Sequence, residues 1–202
     1  MELHRWMLSV VVLVLSGCTA TIIQPDEVID PVPVYVLDHG RHNSLVLVVA
    51  EDDVQRLALG EWRWYVDGET GLGRSLAALF RETPAALGRA RLDGPVDPNC
   101  WVVQVGSEIR NVLIFSAPHE RVEELAERID SAFDQAELFY SQTLNLEFVM
   151  DARPYTLGDN SNHRVVEWLE FLGLEVRGNP TIGILRADDS ERSIQVDWRD
   201  CA

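Results

Sequence analysis

Gly158-Asp159-Asn160-Ser161-Asn162-His163 runs directly into Arg164-Val165-Val166-Glu167-Trp168-Leu169-Glu170-Phe171-Leu172-Gly173-Leu174. The second half predicts a helix. Val165, Trp168, Leu169 and Leu172 share one apolar face, and Arg164, Glu167 and Glu170 lie on the opposite one. Gly173 suits the left-handed residue that ends a helix, with Leu174 folding back on Leu169. The first half is turn chemistry, in which Asn160 or Ser161 can cap the helix. A hydroxyl at this junction is placed either to cap or to act as a nucleophile, because helix N-terminal N–H groups favour a developing anion.

Working outward, the chain has 202 residues, 33 acidic and 17 basic, for a formal charge of −16; every basic residue is Arg. Such a surface repels nucleic acid and anionic membrane faces, and neither is expected as a partner on the ground of charge. The length is enough for one well-packed core, and nothing in it demands two domains.

The N-terminus is expected to lie outside the fold. Arg5 precedes an apolar run from Trp6 to Leu15, too short to span a bilayer, which ends in Leu15-Ser16-Gly17-Cys18. These four residues resemble a bacterial lipoprotein signal, whose Cys becomes lipidated and N-terminal. The resemblance implies a leader over 1–17, a lipidated Cys18 holding the protein on a membrane, and a tether over 18–31 before one domain over 32–202. Thr19 rather than Asp after the Cys implies the outer membrane, facing the periplasm.

Two cysteines remain, Cys100 and Cys201. In an oxidising envelope they are candidates for one disulfide, closing a loop that contributes on the order of 4 kcal/mol in the chain-entropy model; two separate buried thiols are the alternative. Asn99-Cys100-Trp101-Val102 superficially resembles a Cys nucleophile motif. The β-branched run after it predicts a strand over Trp101–Val105, without the helix N-terminus that lowers a thiol pKa.

The second polar centre is Asp38-His39-Gly40-Arg41-His42-Asn43-Ser44, between predicted strands Val34–Leu37 and Leu45–Val49. Two His beside a Gly turn either cap backbone groups or do chemistry. His39-x-x-His42 with Asp38 has permissive metal spacing, but no third-ligand motif accompanies it, and no metal is expected. Beyond, Glu51-Asp52-Asp53 predicts the start of a short helix over Val54–Leu59, and Gly60–Tyr65 predicts a strand with Glu61 at its start. Gly68-Glu69-Thr70-Gly71-Leu72-Gly73 lacks dinucleotide-loop spacing and reads as a turn, with Thr70 capping a helix from Leu72 to Phe80; no cofactor is expected. Further expectations are a short helix over Thr83–Arg91, strands at Asn111–Phe115, Leu144–Val149, Thr181–Leu185 and Ser193–Trp198, and a helix after Ser116-Ala117-Pro118. Strands and helices mix without βαβ alternation, so the class is α+β, with an antiparallel sheet and packed helices.

The order strand, His loop, strand, acid-bearing segment, then a nucleophile-capable turn opening a helix resembles the circularly permuted branch of the papain-like superfamily. That branch includes lecithin:retinol acyltransferase and relatives of the NlpC-type cell-wall peptidases. The Asn-Cys-x-His-like turn of that branch corresponds to Asn160-Ser161-Asn162-His163. More closely, the chain resembles an uncharacterised family of bacterial envelope proteins, some labelled urease-associated, with a His-Gly-Trp-His-Thr-Gly-like loop. Here Asp38-His39-Gly40-Arg41-His42-Asn43-Ser44 matches that loop in spacing, with Arg41, Asn43 and Ser44 substituted, and Glu61-Trp62-Arg63-Trp64-Tyr65 matches its acid-and-aromatic segment, with Glu where Asp is expected.

The resemblance implies His42 as general base, Glu61 as the group orienting its imidazole and Ser161 at the nucleophile position, with Asn160, His39 and His163 in supporting places. The family carries Cys where this chain has Ser161. A hydroxyl needs concerted deprotonation and a formed oxyanion site, whereas a Cys–His pair holds a resting thiolate. Two readings follow: a hydrolase or acyltransferase acting on amide or ester bonds, and a catalytically degenerate envelope module that binds a ligand or is structural. The envelope substrate or ligand is left open by the residues.

Overall fold

A computed structural model describes residues 19–66, 68 and 82–201. Its centre is an eight-stranded sheet in which every neighbouring pair is antiparallel. In chain order its strands are β2 (Pro31–Asp38), β3 (Asn43–Ala50), β4 (Asp53–Glu61), β5 (Ala85–Leu92), β6 (Asn111–Pro118), β7 (Phe139–Ser141), β8 (Leu146–Met150) and β11 (Ser193–Ile194). Across the sheet they run β11-β6-β2-β3-β4-β5-β8-β7. A second, three-stranded sheet places β1 (Thr19–Ile23) between β9 (Glu175–Gly178), antiparallel, and β10 (Ile184–Ala187), parallel. The α-helices among the described residues are α1 (Trp62–Tyr65), α2 (Pro98–Trp101), α3 (His119–Asp134) and α4 (Ser161–Phe171). The architecture is therefore α+β with mostly antiparallel sheets.

β2 and β3 are buried on both faces, which is why they are apolar runs and not alternating patterns. Val34, Val36, Leu45 and Leu47 face a core shared with Val122, Leu125 and Ile129 of α3 and with Val165, Leu169 and Leu172 of α4. Tyr35, Leu37, Val46 and Val48 face the other side, where Trp101, Val105 and Ile109 cover them. Period-2 alternation thus splits one apolar run between two cores.

Several local expectations yield to this sheet. Asp53–Glu61 is a strand where a helix over Val54–Leu59 was expected from the acidic start. Pairing on both sides, with β3 and β5, and burial of Leu57 and Leu59 outweigh the helix dipole, whose favourable terms are each under about 1 kcal/mol. Ala85–Leu92 is likewise strand rather than helix, held between β4 and β8. The reverse holds for Trp62–Tyr65, expected as strand but a single helical turn capped by Glu61. Gly60 permits that break: a Cβ there would sit 2.2 Å from the Tyr65 ring, which folds back over it. Trp101 ends α2 instead of opening a strand, and its ring meets Tyr35 edge-on at 4.9 Å.

The tether expected over 18–31 is ordered where it leaves residue 18. Thr19–Ile23 is a sheet strand, and Ala20 and Ile22 are fully buried against α4's core. Alternating Thr and Ile with Ala gives this strand one apolar face, which pays better in the core than in water. Cys100 and Cys201 are disulfide-bonded and pin the C-terminal segment to α2, where Asp197 N–H also donates to Asn99 Oδ1 at 3.0 Å. The leader, Cys18 and the turn and helix expected over 68–80 lie outside the described residues, apart from Gly68. Among the described residues no helix is long and apolar enough to cross a membrane.

Candidate functional site

α4 enters the sheet at the start of β3. Asn160 caps it: its Oδ1 accepts from the Asn162 N–H at 2.9 Å and the His163 N–H at 3.4 Å. This leaves the Ser161 hydroxyl outside the capping role. His42, one residue before β3, places Nδ1 at 2.9 Å from Ser161 Oγ across 119 positions of sequence. Ser161 is fully buried within its surroundings, and Asn160 and Asn162 nearly so.

The loop bearing His42 is locked to the helix start by amides. Asn162 Nδ2 donates to Arg41 O at 3.1 Å, and Asn43 Nδ2 donates to Asn162 Oδ1 and Gly183 O, each at 2.9 Å. Asn160 Nδ2 donates to Leu157 O and Thr181 O. Gly183, at φ +83°, lies so close that a Cβ would meet Arg41 O at 2.6 Å. The loop over 179–183 therefore packs directly against the His42-bearing loop.

Burial, and secondarily the Arg41 guanidinium, push the His42 pKa below the ordinary histidine value. A neutral imidazole with its lone pair on Nδ1 is the form that accepts the Ser161 proton. Tyr155 neighbours this pair. Burial raises its pKa and the influence of Ser161 opposes that rise, so the phenol stays protonated at neutral pH. Tyr65, also pushed up by burial, stands edge-on to the His42 ring at 6.2 Å.

His39 has a different place. Its Nδ1 lies 2.8 Å from Glu108 O, which can only accept, so Nδ1 carries the proton and Nε2 accepts from Ser44 Oγ at 2.9 Å. Burial and the Arg56 charge lower its pKa to about 4. Arg56 is itself buried and donates to Ser44 Oγ, Val105 O and Leu144 O. His39 thus belongs to a polar network under the second core. Among the described residues no three metal-ligating side chains cluster.

Glu61 is not brought to His42 by a hydrogen bond among the described residues. Its Oε2 accepts from the Trp64 N–H at 2.8 Å, the consequence of α1 forming where a strand was expected. It remains near enough to Tyr155 to raise that phenol's pKa. His163 points its Nδ1 to Asn160 Oδ1 at 3.1 Å and supports the cap. The first turn of α4 is further fixed by Arg164, whose guanidinium holds Asp151 at 2.8 Å in a nearly buried ion pair.

Tyr155, Asn43 and the 179–183 loop were absent from the sequence-level site. Their contributions are tertiary contacts, although Asn43 lies within the His-bearing stretch itself. The only signal was adjacency, Asn43 following His42 and Tyr155 standing six positions before Ser161. No family model, curated protein or solved structure matches the chain.

Proposed function

We propose that this is a lipid-anchored cell-envelope protein with a circularly permuted papain-like fold, in which Ser161 and His42 act on an amide or ester bond. The observation that carries the reading is the 2.9 Å approach of His42 Nδ1 to Ser161 Oγ at the N-terminus of an eleven-residue helix that Asn160 already caps. Burial keeps the imidazole neutral, so it is ready to take the proton as Oγ adds to the carbonyl carbon. The oxyanion that forms would meet the Ser161 N–H and the protonated Tyr155 hydroxyl. On collapse, His42 returns the proton to the leaving amine or alcohol, and water repeats the cycle on the acyl-enzyme. Lipidation of Cys18 and a periplasm-facing outer-membrane location belong to the same reading.

The degenerate, ligand-binding alternative draws its support from Glu61, which is engaged at Trp64 and leaves the imidazole without a carboxylate partner among the described residues. Ser161→Cys distinguishes the two. A working pair converts that thiol into one labelled by iodoacetamide near neutral pH far faster than an unperturbed thiol, and His42→Ala in the same background slows it. Labelling at the rate of an ordinary thiol, with or without His42, removes the catalytic reading and leaves the binding module.

A further inference from the structure

Three large apolar side chains are open to solvent at one end of the molecule: Leu157, Ile182 and Ile184, at 41%, 42% and 38% exposure. They come from separate segments that the site's own hydrogen bonds gather. Asn160 Nδ2 ties the carbonyls of Leu157 and Thr181 together. Ile184 opens β10, and its register partner in β1 is Thr19. Gly183, between the two isoleucines, accepts from Asn43 beside His42. The apolar patch, the Ser161–His42 pair and the first residue of β1 are therefore neighbours.

That position of Thr19 decides what covers the patch. Immediately before it stand the apolar run Trp6–Leu15 and Cys18, the membrane-directed part of the sequence. Thr19 is already fixed: its carbonyl accepts from the Asn179 N–H at 3.2 Å, and Gly178 packs so closely that a Cβ there would lie 2.2 Å from the Thr19 carbonyl oxygen. One residue reaches at most about 3.6 Å, so an anchor at residue 18 holds this end of the domain against the bilayer with no slack. Arg41 and Arg186, both exposed, flank the patch, and guanidinium groups suit lipid phosphates. Ile29 is more exposed, at 86%, but precedes β2 at its opposite end, where Pro31 pairs with Pro118.

We propose that Leu157, Ile182 and Ile184 form a bilayer-docking face, which inserts into the membrane interface and sets the Ser161–His42 pair at the lipid–water boundary. The inference rests on the membrane-anchored reading of the N-terminus and not on Ser161 being a nucleophile. An arrangement of this kind, apolar side chains flanked by two Arg beside a covalent anchor, supplies the second contact that a single lipid anchor needs for firm binding.

The test uses the full chain, lipidated and oxidised, reconstituted in phospholipid vesicles. An environment-sensitive fluorophore is placed on Ile182→Cys, on Leu157→Cys and on the control Ile29→Cys, with labelled wild type correcting for any other thiol. The expected result is a several-fold rise in emission at positions 182 and 157 on reconstitution, quenched by nitroxide-bearing lipids, with position 29 unchanged. Leu157 and Ile182 lie on different segments, so one substitution that fails to fold leaves the other to report. A chain that floats with vesicles while all three probes stay silent or respond equally overturns the docking face alone. A rise that follows protein concentration without vesicles assigns the patch to a second copy and overturns it too. A chain that does not float overturns both the anchor and the docking.

Discussion

At its C-terminal end α4 is finished by its own chain, whereas at its N-terminal end it is completed by residues 119 positions away. The C-terminal end is a Schellman closure. Gly173, at φ +93°, donates to Glu170 O, and Leu174 donates to Leu169 O, each at 3.0 Å. All partners lie within six residues, and the end stops the helix while burying Leu172 and Leu174 in the core. The N-terminal end begins just as locally, with Asn160 as cap, but then gathers His42, Asn43, Tyr155, Asp151 and the 179–183 loop. A closed end needs only a turn residue. An end that carries a hydroxyl not used for capping becomes a site once distant segments are held over it.

The largest expected effect is at Asp151, which the chain brings from the end of β8 to the first turn of α4. Asp151→Ala leaves the nearly buried Arg164 without its close carboxylate and is expected to destabilise by about 3 kcal/mol, the low end for a broken buried pair, because Glu167 stays within 3.3 Å. Urea unfolding measures it. The same pair sets an acid limb. Burial pushes the Asp151 pKa up, but hydrogen bonds from Arg164 and the Arg153 N–H outweigh this and hold it below the ordinary value. Because the folded pKa lies below the unfolded one, the contribution is present above the unfolded value and is lost as pH falls through the folded value. Asp151→Ala is expected to flatten that limb; an unchanged limb would assign acid sensitivity to other groups.

Next in size is Asn160→Ala, expected to cost about 2 kcal/mol, the upper part of the range for losing a cap, since the same amide also ties down Leu157 and Thr181. It should also loosen the His42–Ser161 approach, so iodoacetamide labelling of Ser161→Cys should slow in its presence. The smallest effect is at the closed end. Gly173→Ala meets no atom within 4 Å and pays only for the left-handed backbone, about 1 kcal/mol, with labelling at position 161 unchanged. Equal labelling losses from Asn160→Ala and Gly173→Ala would erase the distinction between the two ends and make the helix a single cooperative support.

What could be read from residues alone follows the same division. The α4 stripe, its Gly173 stop, a cap at Asn160 or Ser161 and the two apolar strands around the His loop were legible, because each depends on neighbours a few positions away. The pairing of His42 with Ser161 was an expectation drawn from resemblance, and its geometry became visible only with the chain folded. Val54–Leu59 and Thr83–Arg91 misled for a physical reason. Acidic and alanine-rich segments carry helix propensities of tenths of a kcal/mol per residue, and two flanking strands plus a buried face outweigh them. Glu61 shows the converse, a single helical turn after Gly60 turning its carboxylate to the Trp64 N–H.

The sequence by itself determined the α+β class, the capped helix, the His-bearing turn and the two cysteines available for pairing. Only the tertiary structure decided which histidine meets Ser161, that Cys100 and Cys201 bond, that Thr19–Ile23 is a core strand, and that Leu157, Ile182 and Ile184 share one end. Periodicity and capping are written in separations of two to seven residues, where chain geometry fixes what touches what. Contacts across 119 positions are set by sheet register and by the competition of many burials, which no short stretch encodes.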